Sequence, residues 1–92
     1  MEQVNEHLLE ILNILQEECA EVIQAASKIK RFGILNRKEG DELNNLQNLE
    51  LELGDVLCLV DILLKSDIGL SEQGITSAKL AKSERLKLWS NL

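Results

Sequence analysis

Apolar residues return every three or four positions through the first third of the chain, at Val4, Leu8, Ile11 or Leu12, Leu15, Cys19, Val22, Ala26 and Ile29. Only a helix brings such positions to one side. Proline is absent, aromatic residues are scarce, and Leu, Glu, Lys, Ala and Gln dominate, all good helix formers. The spacing predicts a first helix from about Glu2 to Arg31, ended by Gly33, whose freedom at positive φ suits a helix stop. Ile34 to Asn45 (ILNRKEGDELNN) has weak periodicity and several charges, so it reads as a loop in which Asp41 or Asn44 caps the next helix. A second helix is expected over roughly Leu43 to Lys65, with a break near residues 47–49 as an alternative. Ser71 starts a third, whose Ile75, Leu80, Leu86, Leu88 and Trp89 are expected to dock on the others. The expected fold class is all-α: an antiparallel bundle in which two long helices form a hairpin, followed by a C-terminal helix.

Length limits what such a bundle achieves alone. A single domain spanning residues 1–92 buries only about two-thirds of its unfolded surface. The segment Leu49–Leu64 (LELELGDVLCLVDILL) is apolar nearly all round, and such a helix must be covered on every side. Burial against a second copy is the economical solution, so a homodimer or homotetramer with a four-helix-type core is expected. Gly54, within that segment, costs helix stability of about 1 kcal/mol relative to Ala. Close helix packing or approach of its backbone to a ligand would explain it.

Several function classes fall away. No uninterrupted run of 18 apolar residues is present, and the N-terminus MEQVNEHLLE lacks the pattern of a signal peptide, so a cytoplasmic location with no membrane partner is expected. Cys19 and Cys58 sit in apolar helical patterns and read as small buried hydrophobes rather than a disulfide or zinc site. A net charge of −6 argues against a nucleic-acid polymer as partner. There is no Walker A motif, no Ser-His-Asp or Cys-His set, and the single histidine, His7, lies far from either acidic cluster and reads as an exposed residue near the helix start.

Those acidic clusters are the chemical signal. Glu17, Glu18 and Glu21 interrupt the first apolar stripe, and Glu52 and Asp55 interrupt the second. Glu18 and Glu21 are i and i+3, as are Glu52 and Asp55, so each pair projects from one helix face. An EExxE alone is most often a solvated face. Glu52 and Asp55, however, lie in a segment too apolar to be a surface. If the helices pack antiparallel, four carboxylates meet at the edge of a core and repel one another unless a cation lies between them. Oxygen-only ligation suits Mg²⁺, with Mn²⁺ as substitute, and such ions complete their coordination with water and substrate phosphates. Di-iron chemistry is rejected because it needs Glu-x-x-His. Metal and carboxylate together suffice to hydrolyse a phosphoanhydride.

Glu17-Glu18-x-x-Glu21 followed by Glu52-x-x-Asp55, within EECAEVIQAASKIKRFG and NLELELGDVLCLVDILL, resembles the EExxE…ExxD pattern of the MazG-like all-α nucleoside triphosphate pyrophosphohydrolases, small single-domain phage and bacterial type, in the superfamily that includes dimeric dUTPases. The resemblance covers about residues 8–65. It implies an α-helical bundle assembled as a dimer or dimer of dimers, and Mg²⁺-dependent hydrolysis of NTPs or dNTPs to monophosphate and pyrophosphate. It also implies Glu18, Glu21, Glu52 and Asp55 as metal ligands, with Glu17 orienting or deprotonating water alongside Glu18. Lys28, Lys30, Arg31, Lys79 and Lys82 are candidate substrate-phosphate contacts by location and charge. For Lys28, Lys30 and Arg31, compensation of the helix dipole serves equally well, and for Lys79, Lys82 and Arg85 a solvated face is the better reading. Two alternatives from other classes are a non-catalytic helical interaction module and a metal-dependent nucleotide sensor.

Overall fold

The computed structural model describes residues 4–92, which contain three helices and no strand: α1 (Glu6–Phe32), α2 (Asn45–Lys65) and α3 (Glu72–Trp89). Each starts where a side chain replaces the missing helical acceptor. For α1 the Asn5 Oδ1 accepts from the Leu8 N–H at 2.7 Å, so the helix begins later than the apolar pattern suggests, with Val4 outside it and Glu2 outside the described residues. For α2 the exchange is reciprocal: Asn44 Oδ1 accepts from the Gln47 N–H at 2.8 Å, and Gln47 Oε1 accepts from the Asn44 N–H at 2.9 Å. Asn44 is therefore the cap, Leu43 precedes the helix, and α2 runs unbroken through residues 47–49. Ser71 Oγ caps α3 by accepting from the Gly74 N–H at 2.9 Å. Gly33, at φ +95°, closes α1 with its N–H donated to the Ile29 carbonyl at 2.8 Å.

The chain divides into one unit ending at Ile62 and a second from Leu63 to Leu92. Within the first, α1 and α2 pack together along stripes of the same period. Among the more covered positions on α1 are Ile11, Leu15, Glu18, Val22, Ala25 and Ile29, and on α2 within this unit Asn45, Leu49, Glu52, Val56 and Leu59. Both follow the alternating spacing of four and three that keeps one seam facing a neighbouring helix. Ile11, Ala25 and Leu59 are its buried apolar residues. The pairing is antiparallel: the C-terminal end of α1, at Lys28, meets the start of α2 at Asn45, while Glu18 lies across from Glu52 and Asp55.

That register corrects two expectations. Cys19 and Ala26 fall one residue off the seam, where Glu18 and Ala25 stand, and Cys19 is exposed. Cys58 is exposed as well, on a side of α2 turned away from α1. The nearly all-apolar α2 likewise leaves Leu51, Leu53 and Leu57 open, Leu57 at 63 %. A Cβ at Gly54 would meet nothing within 4 Å, so no close approach among the described residues accounts for that glycine. In the second unit Ile75 and Leu86 are half-buried, whereas Leu80, Leu88 and Trp89 are exposed, Trp89 at 83 %. No helix among the described residues is long and apolar enough to cross a membrane.

Candidate metal centre

Two seam positions that would ordinarily be apolar carry Glu18 and Glu52, and the antiparallel register sets them facing each other. Asp55, one turn beyond Glu52, completes a group in which one oxygen from each carboxylate lies within 4.8 Å of the others. Among the described residues none of the three takes part in a salt bridge, the one ion pair there being Lys87–Glu84 in α3. Burial between the helices raises the Glu18 pKa above its ordinary 4.5, with the charge and close carboxylate of Asp55 and the charges of Glu52 and Glu21 adding to the effect. Burial also raises Glu52, reinforced by Asp55 and Glu21 and partly offset by the ammonium of Lys28. Mutual repulsion at these distances is what a cation held between the carboxylates would relieve.

The linkage has a defined sign. Because Glu18 and Glu52 hold protons more tightly folded than unfolded, their contribution to stability is fully present below the ordinary carboxylate value and is lost as pH rises through the raised values. In chelator, therefore, the melting-temperature gap between wild type and Glu52→Gln should be widest at neutral pH, with the variant higher, and close as the solution is acidified. A gap independent of pH would show that these carboxylates do not repel.

Glu21 stands beside the trio, bordering with Glu52 a cleft of about 120 Å³ whose other walls include Gln24, Lys28, Asp41, Asn45 and Asn48. Glu17 is exposed and belongs to neither the trio nor the cleft wall. Of the basic candidates, Lys28 reaches the cleft. Lys30 is exposed, and Arg31 places its guanidinium 4.9 Å from the centre of the Phe32 ring. Lys79 and Lys82 lie in the second unit, along a shallow groove of α3 with Ile75, Arg85 and Leu86. His7 is exposed.

Asn45 and Asn48 do not stand out in the sequence, and Asp41 stands out only as a cap. Asn45 is 7 % exposed and ties the interhelical loop to α1: its Nδ2 donates to the Gly33 carbonyl at 2.9 Å and to the Lys28 carbonyl at 3.5 Å, while its backbone N–H donates to the Asn36 carbonyl at 2.9 Å. Extending the four-three spacing of α2 backward from Leu49 reaches Asn45, and that spacing is its one signal in the sequence.

A family model, the MazG nucleotide pyrophosphohydrolase domain, matches residues 6–88. No curated protein and no solved structure matches the chain. The match takes in all three helices almost from end to end, and the chain belongs to this family.

Proposed function

We propose that this member of the MazG family hydrolyses nucleoside triphosphates, NTPs or dNTPs, to monophosphate and pyrophosphate with Mg²⁺ held by Glu18, Glu21, Glu52 and Asp55. The observation carrying this reading is the convergence of Glu18, Glu52 and Asp55 from two helices, with no cationic side chain among the described residues in a salt bridge to them. The donor set fits the ion: carboxylate oxygens alone, on rigid helices, beside an open cleft that leaves room for water and phosphate. When bound, Mg²⁺ or Mn²⁺ supplies charge neutralisation for the triphosphate and acidifies water. The chain does the rest. Lys28 offers an ammonium to the phosphates, and Glu17, beside Glu18, orients or deprotonates the attacking water. The α–β phosphoanhydride bond breaks and pyrophosphate leaves. Lys30, Arg31, Lys79 and Lys82 are secondary candidates for phosphate contact.

The test is release of monophosphate and pyrophosphate from a panel of NTPs and dNTPs with Mg²⁺ or Mn²⁺. Metal-dependent appearance of both products supports the hydrolase. Metal-dependent thermal stabilisation without turnover would favour a nucleotide sensor, and neither effect would favour an interaction module.

The reading includes a second copy of the chain. Leu53 and Leu57 are i and i+4 on an open side of α2, with Gly54 between them presenting bare backbone, and a helix from another copy packed there would account for all three. Sedimentation should report a homodimer or homotetramer, and Leu57→Glu should shift it to monomer with a lower melting temperature. A wild type that sediments as monomer at micromolar concentration would remove the oligomer from this proposal.

A further inference from the structure

The acidic cleft continues past Lys28, Asp41, Asn45 and Asn48 into a second, less polar space of about 350 Å³ bordered by Phe32, Asn36 and Lys38. This volume exceeds that of a nucleobase, and its walls combine an aromatic ring with short polar side chains, the combination that binds a flat heterocycle. Asn45 sits at the junction, lining both spaces. Its amide orientation is fixed because Nδ2 faces two main-chain carbonyls, which accept only from a donor. Oδ1 receives no hydrogen bond from the described residues and is not sealed from solvent, so it is the amide atom left for the cleft. Asn45, only 7 % exposed, is thus held by its donor end with its acceptor end unbonded among the described residues.

We infer that this second space holds the nucleobase, and that Asn45 Oδ1 together with the Asp41 carboxylate selects bases bearing an exocyclic amine. The inference rests on the nucleotide reading above and adds the substrate class. Cytosine, adenine and guanine each direct an amine outward, and guanine adds a ring N–H beside it. An exocyclic amine carries two N–H bonds and can donate one to each acceptor, whereas uracil and thymine offer a single N–H between two carbonyls, so the second acceptor meets a carbonyl oxygen and is repelled. Asp41 is exposed and in no ion pair among the described residues, so its carboxylate is available, and Phe32 provides a ring surface against which the base can rest. Lys28, common to both spaces, places the phosphates toward Glu21 and Glu52 and the base toward Phe32.

Equilibrium binding separates this inference from the hydrolase reading. Deoxynucleoside monophosphates in the presence of Mg²⁺ are titrated into the isotopically labelled full chain while the side-chain amide resonances of Asn45 and Asn48 are followed. The expected result is that dCMP, dAMP and dGMP shift both resonances and bind roughly tenfold or more tightly than dTMP and dUMP, with Asp41→Ala narrowing that ratio several-fold. Asp41 is exposed, so the variant does not depend on the fate of the buried amide. Unmoved amides with every nucleotide, equal affinity for all five, or a ratio unaltered by Asp41→Ala would overturn the inference, even in a protein that turns over triphosphates. Shifts without turnover would keep the base site and remove the hydrolase.

Discussion

Glu52→Gln is expected to cut Mg²⁺-dependent release of pyrophosphate by about 100-fold or more while leaving a folded protein. Losing a ligand removes metal-based charge stabilisation worth several kcal/mol, and each 1.36 kcal/mol is tenfold in rate. The same substitution should abolish the rise in melting temperature that Mg²⁺ gives the wild type, about 2.7 kcal/mol of stabilisation when the metal is at one hundred times its Kd. Without metal the sign reverses. Glu52 lies half-buried against Glu18 and Asp55, its pKa raised by burial and by its acidic neighbours, so neutralising it relieves repulsion. The gain is small, under about 1 kcal/mol, because solvent reaches the group. Scanning calorimetry with and without Mg²⁺, beside product release, reads all three effects. Loss of the fold in chelator would mean that Glu52 serves a structural partner, and unimpaired turnover would mean that metal is held elsewhere.

This combination of inactive and slightly more stable is what distinguishes a site residue from a seam residue on these helices. Val56, the next seam position on α2, would show the opposite pattern, since truncating it removes apolar contact without touching the carboxylates. The proposed metal site occupies seam positions that packing alone would fill with an apolar residue. The chain accepts the cost of two acidic seam positions, and the raised pKa values of Glu18 and Glu52 are the physical record of it.

That conflict is also what makes the site legible in the amino-acid sequence. Helix-forming composition and a three-four period dictate an all-α chain, and Glu18 and Glu52 are visible because they break an apolar pattern rather than because carboxylates are rare. The caps are legible through Asn44 and Ser71, whose short polar side chains satisfy the first N–H groups. What sequence leaves open follows from physical degeneracy. Ile11 and Leu12, or Glu18 and Cys19, are adjacent on a helix, and only the partner helix decides which of two neighbouring stripes faces inward. For this reason Cys19 and Cys58 read as buried in the sequence and stand exposed in the fold. The second cleft is invisible in sequence because its walls come from the end of α1, the loop and the start of α2, and the weak periodicity of Ile34–Asn45 carries no signal of where the chain folds back. Asn45 shows this most clearly: in sequence it is one of a pair of asparagines, and its neighbour Asn44 has the more recognisable task.

Asn45→Ala should accordingly be among the most destabilising substitutions in the chain. It removes the donor to the Gly33 and Lys28 carbonyls from a site with little access to water, and it leaves space at the top of the seam. An unsatisfied buried group costs about 1–3 kcal/mol and the lost packing adds to this. Out of a total of roughly 5 kcal/mol for a small domain, the melting temperature should fall by about 10 °C or more. Asn45→Leu, which restores volume without donors, separates the two contributions: recovery of most of the stability would assign the role to packing, and a loss as large as that of Ala would assign it to the bonds across the loop. Asp41→Ala, on the same cleft but exposed, should change stability by no more than about 0.5 kcal/mol. Asn45 thus couples stability to recognition through the two ends of one amide. Its nitrogen holds the loop to α1, and that constraint keeps its oxygen turned to the cleft, so a variant that loosens the loop should lose base discrimination before it unfolds.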